Sequence, residues 1–419
     1  MSPDALACPA HPSAFRFLDP AVWASPWDYY RALHAHAPVW RDAETGFFIV
    51  STHALVNEVL RDTERFSAQV DRPNLRPGGL PDAVKAVFAA RPLTPTLVGN
   101  DPPSHGRFRP LVNFVFSTDK VEAMAPAIEA RVAELIDAFA EKGRCDAIAD
   151  IGAALPLAVI ATELGVPLER VGDLKRWSDA IVQLLGLVGD DARLIECAHA
   201  QKECLDFLLA QAEARRGRPD GTILSDLVNG AAADGAALAE SELASILVQL
   251  LVAGNETTTN TFGSGMIALA SDPDLQARVR ATDAKGMRVF VEEVLRTEAA
   301  VQGHYRKAKE DVSLGGMDIP AGAVVHLRYG AANRDAAQFP EPDRIDLARR
   351  NAMSHFAFGG GIHFCVGAAL ARKELTLAFR GMLDRLENIR IDPEAGPLER
   401  FPSVQHRGVK RLPLVFAAR

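Results

Sequence analysis

The sequence predicts a mainly α-helical single domain with small peripheral β-sheets. Three observations predict it. Between Val121 and Arg296 the apolar residues recur mostly at helical spacing. Short strand signals bounded by Gly and Pro turns flank that stretch on both sides. No internal repeat and no linker-like break in composition divides the 419 residues. A prior of about 150 residues per domain would allow two or three domains. The unbroken pattern instead favours one domain over residues 1–419, with residues 1–15 as a mobile tail.

The elements follow in chain order. The first 40 residues are rich in Pro and aromatics and read as irregular chain plus one helix, Trp27 to Ala37. Pro38 to Ser51 reads as two strands around a turn at Glu44-Thr45-Gly46. Val70 to Pro103 holds seven prolines and three glycines in 34 positions, too long for an ordinary connection and therefore functional or disordered. Leu243, Ile246, Leu247, Leu250, Leu251 and Gly254 share one helix face. A further helix runs through Met287 to Thr297, followed by strands at Val312 to Leu314 and Val324 to Leu327 with turns at Gly315-Gly316 and Pro320-Ala321-Gly322. The glycines Gly359 to Gly361 lead into a last helix, Cys365 to Leu386, and the tail LPLVFAA reads as a strand.

Composition excludes several classes. Hydrophobic residues are 48% and charged residues 24%, which suits a globular core. Lys plus Arg is 46 against 54 Asp plus Glu, and the net charge of −8 argues against a general nucleic-acid binder. No apolar stretch reaches the roughly 18 residues of a membrane span. The N-terminus has no basic segment followed by an apolar one, as a secretory signal would. A soluble, cytoplasmic monomer with neither a nucleic-acid nor a membrane partner is expected. The five cysteines, Cys8, Cys145, Cys197, Cys204 and Cys365, are odd in number and scattered, which argues against a disulfide framework. C-x-x-C and H-E-x-x-H are absent, which removes the common zinc sites.

The most informative segment is FGGGIHFCVG, Phe358 to Gly367. One cysteine stands between a glycine-rich loop and an amphipathic helix. A helix N-terminus stabilises the Cys365 thiolate. Neighbouring backbone N–H groups tune the sulfur by donating to it. Gly359, Gly361 and Gly367 remove side chains that would block a large flat ligand, and Phe358 offers it an aromatic face. The alternative is a buried structural cysteine beside a helix cap.

The ten-residue pattern resembles the haem-binding signature of the cytochrome P-450 family, F-x-x-G-x-[HR]-x-C-x-G. Phe358, Gly361, His363, Cys365 and Gly367 fill its fixed positions. Further segments resemble the same family in the same order. Asp101-Pro102-Pro103-Ser104-His105 through Arg109 is similar to its D-P-P-x-H-x-x-x-R helix start, with Ser104 where Glu is frequent. Ala253-Gly254-Asn255-Glu256-Thr257 resembles its oxygen-binding helix, A-G-x-[DE]-T. Glu293 and Arg296 form its E-x-x-R pair, and Phe339-x-x-Pro342-x-x-Ile345-Asp346-x-x-Arg349 looks like the segment that supplies the third member, Arg349.

The resemblance covers nearly the whole chain and implies the triangular P-450 fold. One b-type haem would lie between the oxygen-binding helix and the cysteine-loop helix. Cys365 would be the axial ligand; a thiolate there favours O–O cleavage. Gly254 would leave room for dioxygen, and Thr257 could bond back to the Ala253 carbonyl and loosen the helix. Glu256 and Thr257 would relay protons. His105, Arg109, Arg306 and His355 would hold haem propionates. Glu293, Arg296 and Arg349 would brace the pocket. Taken singly, each motif has a simpler alternative: a surface ion pair, a polar helix patch, solvated basic residues.

The implied activity is a haem-thiolate monooxygenase that inserts one oxygen atom from O2 into a small or medium hydrophobic substrate, of terpenoid or alkyl-aromatic type. Electrons would come from a ferredoxin and its NAD(P)H-dependent reductase. Leu97, Val98, Leu250, Ala253, Val301 and Val404 are the expected pocket residues, with Gln302, Gln405 and His406 as polar candidates. Arg107, Lys120, Arg372 and Lys373 could form a basic patch for an acidic ferredoxin or be ordinary solvated charge. A peroxide-driven peroxygenase of the same fold and a haem-based sensor or ligand-binding protein are the alternatives, and the Glu256–Thr257 pair counts against both. Gly263-Ser264-Gly265-Met266-Ile267-Ala268 fits a dinucleotide pattern but has a helix, not a strand, before it. Cys197 and Cys204, seven apart on a helix, read as core packing.

Overall fold

A computed structural model describes residues 9–70, 79–186, 190–401 and 403–419. After short helical turns at Pro12–Ala14 and Pro20–Ala24 come α1 (Trp27–His36), β1 (Val39–Arg41), β2 (Phe48–Val50), α2 (His53–Arg61) and β3 (Phe66–Ser67). A long helical run follows: α3 (Asp82–Ala90), α4 (His105–Val115), α5 (Thr118–Asp137), then strand β4 (Arg144–Asp146), α6 (Ala154–Glu163), α7 (Val171–Gly186), α8 (Asp191–Arg215), α9 (Ile223–Asn229), α10 (Glu240–Ser271) and α11 (Pro273–Arg280). Next come α12 (Ala284–Thr297), β5 (His304–Ala308), β6 (Val312–Leu314), β7 (Met317–Ile319) and β8 (Val324–Leu327). The chain closes with α13 (Ala368–Arg385), β9 (Leu386–Ile391) and β10 (Pro413–Ala418). The chain forms two compact units: Met1–Val70 with Asp283–Cys365 and Glu399–Lys410, and Asp71–Thr282 with Val366–Leu398 and Arg411–Arg419.

The first unit is built on a five-stranded sheet in the order β1-β2-β8-β5-β3. β2 and β8 pair in parallel; the other neighbours are antiparallel. The β1–β2 hairpin closes where the sequence predicts its turn. Asp42 accepts from the Thr45 N–H and hydroxyl, both at 2.7 Å, and Gly46 takes φ +72°. Val50, Val325 and Leu327 are fully buried and meet Val56 and Leu60 of α2 in one cluster. The hairpin β6–β7 is a separate two-stranded sheet whose Val312, Leu314 and Ile319 join the same cluster. Asp283 caps α12 by accepting the Gly286 N–H at 2.8 Å.

The second unit is organised by α10, whose 32 residues span about 48 Å. Leu243, Ile246, Leu247, Leu250 and Leu251 are all buried, as their spacing predicts. The Gly-rich stretch of the rejected dinucleotide pattern lies inside this helix. A Cβ on Gly265 would stand 2.3 Å from the Phe379 ring of α13, and Phe262 stacks on that ring at 5.3 Å. Close helix packing therefore explains the glycine. Cys197 and Cys204 are buried in α8, and burial raises both thiol pKa values, that of Cys204 to about 12. A three-stranded sheet, β4-β10-β9, completes the unit.

Three expectations need correction. The Val70 to Pro103 stretch holds helix α3, whose Val84 and Val87 bury against Leu184, Leu194 and Cys197. An i, i+3 apolar pair outweighed the surrounding prolines there; residues 71–78 lie outside the described residues. Of the expected tail 1–15, residues 1–8, with Cys8, also lie outside them, but 9–15 are packed. Pro12 is buried, the His11 ring lies 5.3 Å from Trp40, and His36 Nε2 lies 2.8 Å from the Pro9 carbonyl. Strands β3, β4, β5, β7 and β9 were not expected. They are short, and several carry charged residues.

Candidate functional site

In the first unit the cysteine loop is shaped by backbone demands. Gly359 and Gly361 both take left-handed φ, +66° and +62°. A Cβ on Gly361 would stand 2.3 Å from the Leu60 carbonyl oxygen, so that bareness serves the protein's own α2. The Cys365 N–H donates to the Phe358 carbonyl at 2.9 Å and closes the loop. The Phe358 and Phe364 rings meet edge-on at 6.3 Å. Cys365 forms no disulfide among the described residues and is half-buried, three residues before the first residue of α13.

Behind the loop lies a buried charge cluster. Glu293 and Arg296 are both fully buried, and Arg349 is 8% exposed. Arg296 donates to Glu293 Oε1 at 2.7 Å and Oε2 at 3.0 Å. Its remaining hydrogens reach the carbonyls of Asn333 (3.0 Å), Pro342 (2.6 Å) and Arg344 (2.9 Å). Arg349 Nε donates to Glu293 Oε2 at 3.0 Å and its other nitrogens reach the carbonyls of Pro340 and Glu341. Glu341 adopts φ +49° to turn there. One carboxylate and two guanidiniums thus pin the meander before the loop to α12. Desolvation of such charges is offset only because nearly every donor is used.

The basic residues divide differently from expectation. Arg306 on β5 is buried, with one Nη donating to the Tyr305 carbonyl at 2.8 Å. His355 is corrected. Its Nδ1 accepts the Ala357 N–H at 3.1 Å, which leaves Nε2–H to donate to Glu292 at 3.0 Å. Both ring nitrogens are committed within the protein, so His355 braces Glu292 and has no hydrogen for a propionate. His363, two residues before Cys365, is the histidine of this loop. Spacing alone could not separate the two; Glu292, beside the E-x-x-R glutamate, was the overlooked signal.

In the second unit, α10 carries Ala253, Gly254, Glu256 and Thr257. The Thr257 hydroxyl donates to the Ala253 carbonyl at 2.7 Å. Thr261 and Thr259 make the same i−4 bond, to Thr257 and Asn255. A Cβ on Gly254 would meet only Ile160, at 4.0 Å, so the space beside it is open. Burial, helped by Asp179, raises the Glu256 pKa, while Lys175 of α7 opposes it. A carboxyl shifted toward neutrality suits proton exchange. His105 and Arg109 are four apart on α4 and share a face. Burial and the Arg109 charge lower the His105 pKa, so Arg109 carries the positive charge.

The expected pocket residues also divide. Leu97 and Leu250 are buried, whereas Val98 is 47% exposed. The overlooked residue is Gln249, which ties this loop to α10: it accepts the Val98 N–H at 3.0 Å and donates to Thr96 Oγ at 2.8 Å. Val301 is half-buried and pairs with His406 as an isolated β-bridge. Val404 is corrected: it packs against the cluster of Phe17, Tyr29, Tyr30 and Leu33. Gln302 is corrected too, since Tyr30 and the Ala299 carbonyl take its amide. The basic patch is largely neutralised. Arg107 pairs with Asp234 (2.5 Å) and Glu242 (2.8 Å), Lys120 with Asp226, and Lys373 with Glu122 (2.8 Å).

These donors fit a haem. Among the described residues no group of three or more His, Cys, Asp or Glu could hold a bare metal ion. A single soft sulfur on a glycine loop suits iron whose other ligands come from a macrocycle. Arg306, a buried guanidinium, has the donors that a carboxylate needs. No helix among the described residues is long and apolar enough to cross a membrane.

Comparison with known proteins agrees. The family model "Cytochrome P450" matches residues 173–283 and 285–404. The chain is similar to the vitamin D(3) 25-hydroxylase of Pseudonocardia autotrophica, 34% identical over 400 residues and 95% of both chains. It is similar to the 6-deoxyerythronolide B hydroxylase of Saccharopolyspora erythraea, 37% identical over 336 residues and 80% of both. Its fold matches cytochrome P450 CYP109E1 of Bacillus megaterium in complex with testosterone: TM-score 0.81, 31% identity, 93% of this chain and 99% of that one. The chain therefore belongs to the cytochrome P450 family, oxidoreductases that hold haem b on a cysteine thiolate and incorporate oxygen from O2 into organic molecules.

Proposed function

We propose that this cytochrome P450 hydroxylates a polycyclic terpenoid or similarly bulky hydrophobic molecule, and that it acts as one functional domain in the cytoplasm. Haem iron with a thiolate ligand supplies dioxygen binding and O–O cleavage. Cys365 would be that ligand, on the loop fixed by Gly359, Gly361 and the Phe358 carbonyl. Arg306, Arg109, His105 and His363 would hold the propionates, with His105 donating as a neutral imidazole. The Glu293–Arg296–Arg349 cluster keeps the loop's supporting meander in place.

The observation that carries the oxygenase reading is the Thr257–Ala253 bond beside Glu256. Thr257 holds its proton on a helix carbonyl while a raised-pKa carboxyl stands one residue away. Glu256 would exchange protons with solvent, and Thr257 would pass one on through water. A peroxygenase or a sensor has no use for this pair. The substrate class is supported by the relatives: a vitamin D(3) hydroxylase, an erythronolide hydroxylase and a testosterone-bound structure. In the first unit, Val301, the segment after Arg296 and the turn Ser403–Arg407 would face the substrate; Leu97 and Leu250 are the buried apolar candidates of the second unit.

Electrons would reach the site from a ferredoxin and its NAD(P)H-dependent reductase. The acid pairing of Arg107, Lys120 and Lys373 makes a strongly salt-dependent dock on those residues a poor fit. The test is substrate-dependent NADPH consumption with a surrogate ferredoxin system and a steroid panel. Hydroxylated product in proportion to NADPH supports the proposal; turnover with peroxide alone would favour the peroxygenase.

A further inference from the structure

Arg328, just after β8, is 2% exposed. Its contacts are a tyrosine, a carbonyl and two aromatic faces. Nε donates to the Tyr30 hydroxyl at 3.0 Å, Nη1 donates to the Val404 carbonyl at 2.7 Å, and the guanidinium lies over the rings of Phe17 and Tyr30. No ion pair among the described residues includes it. A buried cation without a carboxylate is costly, and an apolar side chain of similar volume would usually be more stable. Its presence is best explained by what it holds.

It holds both sides of a short ribbon. On one side, the Tyr30 hydroxyl donates to Gln302 Oε1, and Gln302 Nε2 donates to the Ala299 carbonyl at 2.6 Å. On the other, Arg328 fixes Val404 directly. The two sides are joined by Gln302 N–H to the Gln405 carbonyl at 2.7 Å and Arg407 N–H to the Ala300 carbonyl at 2.9 Å, with Val301 opposite His406. Ser403 Oγ accepts the Gln405 and His406 N–H groups at 3.2 and 3.0 Å and shapes the turn. Side chains alternate along such a pair. Gln302 faces Arg328, so Val301 and His406 share the opposite face. Gly330 makes the room: a Cβ there would stand 2.3 Å from Gln302 Oε1 and 2.8 Å from the Tyr30 hydroxyl.

We propose that Arg328 is a positioning residue that, through Tyr30–Gln302 and Val404, sets the Val301–His406 ribbon and thereby selects bulky substrates. This rests on the proposed pocket, in which both ribbon segments wall the substrate. A structural role alone would change haem loading and stability; a positioning role changes the fit of large ligands selectively.

The test uses haem-loaded full-length protein and two azole probes read by their Soret shifts. Imidazole reaches little beyond the iron, whereas clotrimazole also presses on the walls. The variants are Arg328→Met, Arg328→Lys and Tyr30→Phe, the last removing only one hydroxyl. The wild-type reduced CO band is recorded first, and its absence would mark failure of the haem-thiolate reading itself. With that band intact, imidazole affinity should stay within about twofold in every variant, and clotrimazole should weaken about tenfold or more in Arg328→Met and Tyr30→Phe. Arg328→Lys, which can still reach one acceptor, should recover part of it. Parallel changes for both azoles, or unchanged clotrimazole affinity, would overturn the proposal. So would loss of haem-loaded protein in both Arg328→Met and Tyr30→Phe, which would make the network purely structural.

Discussion

Arg296→Lys keeps the positive charge and removes the planar fork. The guanidinium makes five hydrogen bonds, two to Glu293 and three to the carbonyls of Asn333, Pro342 and Arg344. It also lies 5.1 Å from the Phe339 ring centroid. A lysine ammonium has three donors on a different stem and cannot reach both Glu293 oxygens and all three carbonyls. At least two charge-assisted bonds are lost, at about 1.5–3 kcal/mol each, or about 3–6 kcal/mol together. Whole-domain stabilities are about 5–15 kcal/mol. The thermal midpoint of the haem-loaded protein should fall by roughly 3–7 °C. The assay is thermal unfolding followed at the Soret band, with haem yield per protein as a second readout. Lys373→Ala is the control, because its partly exposed pair with Glu122 contributes about 0.5 kcal/mol. If Arg296→Lys unfolds with Lys373→Ala, within a degree or two of wild type, the buried cluster does not brace the loop.

Other outcomes follow from the same geometry. Glu374 on α13 is buried, and burial raises its pKa to about 8. The native carboxyl then keeps a proton that the unfolded chain gives up, so stability falls as pH rises from about 4.5 through 8. Relative to Glu374→Gln, wild type should lose about 3–5 kcal/mol between pH 5 and pH 8; parallel midpoints of the two proteins across that range would refute the shift. Thr257→Ala should keep the haem spectrum yet divert NADPH into peroxide or water, and tight coupling would assign the proton to another group. Glu256→Gln should slow product formation about 100-fold, and an unchanged rate would remove it from the relay. Gly361→Ala combines a left-handed φ with a Cβ 2.3 Å from the Leu60 carbonyl, so its haem yield should drop sharply; full loading would show that α2 can yield.

Legibility in the sequence tracked the size of the pattern. The cysteine loop, the E-x-x-R pair and the A-G-x-E-T helix each carry several residues at fixed spacing, so their positions could be read directly. The five leucines and isoleucines of α10 announced a helix face for the same reason. What spacing did not reveal was which way a single polar side chain turns. His355 and His363 both flank the loop, and only the Ala357 and Glu292 contacts show that His355 is already engaged. Gln302 looked like a pocket anchor until Tyr30, some 272 residues earlier, took its amide. Lys120 and Arg107 looked free until Asp226, Asp234 and Glu242 met them through tertiary contacts. Helix α3 was hidden because seven prolines were counted over a window in which a nine-residue helix could still form.

The most direct test of the haem-thiolate assignment is the spectrum of the dithionite-reduced, CO-bound protein, recorded for wild type and for Cys365→Ser. Wild type is expected to show the strongly red-shifted Soret band of a thiolate-ligated haem, and the variant to lose it. The same band in Cys365→Ser, or its absence from properly haem-loaded wild type, would contradict Cys365 as the iron ligand.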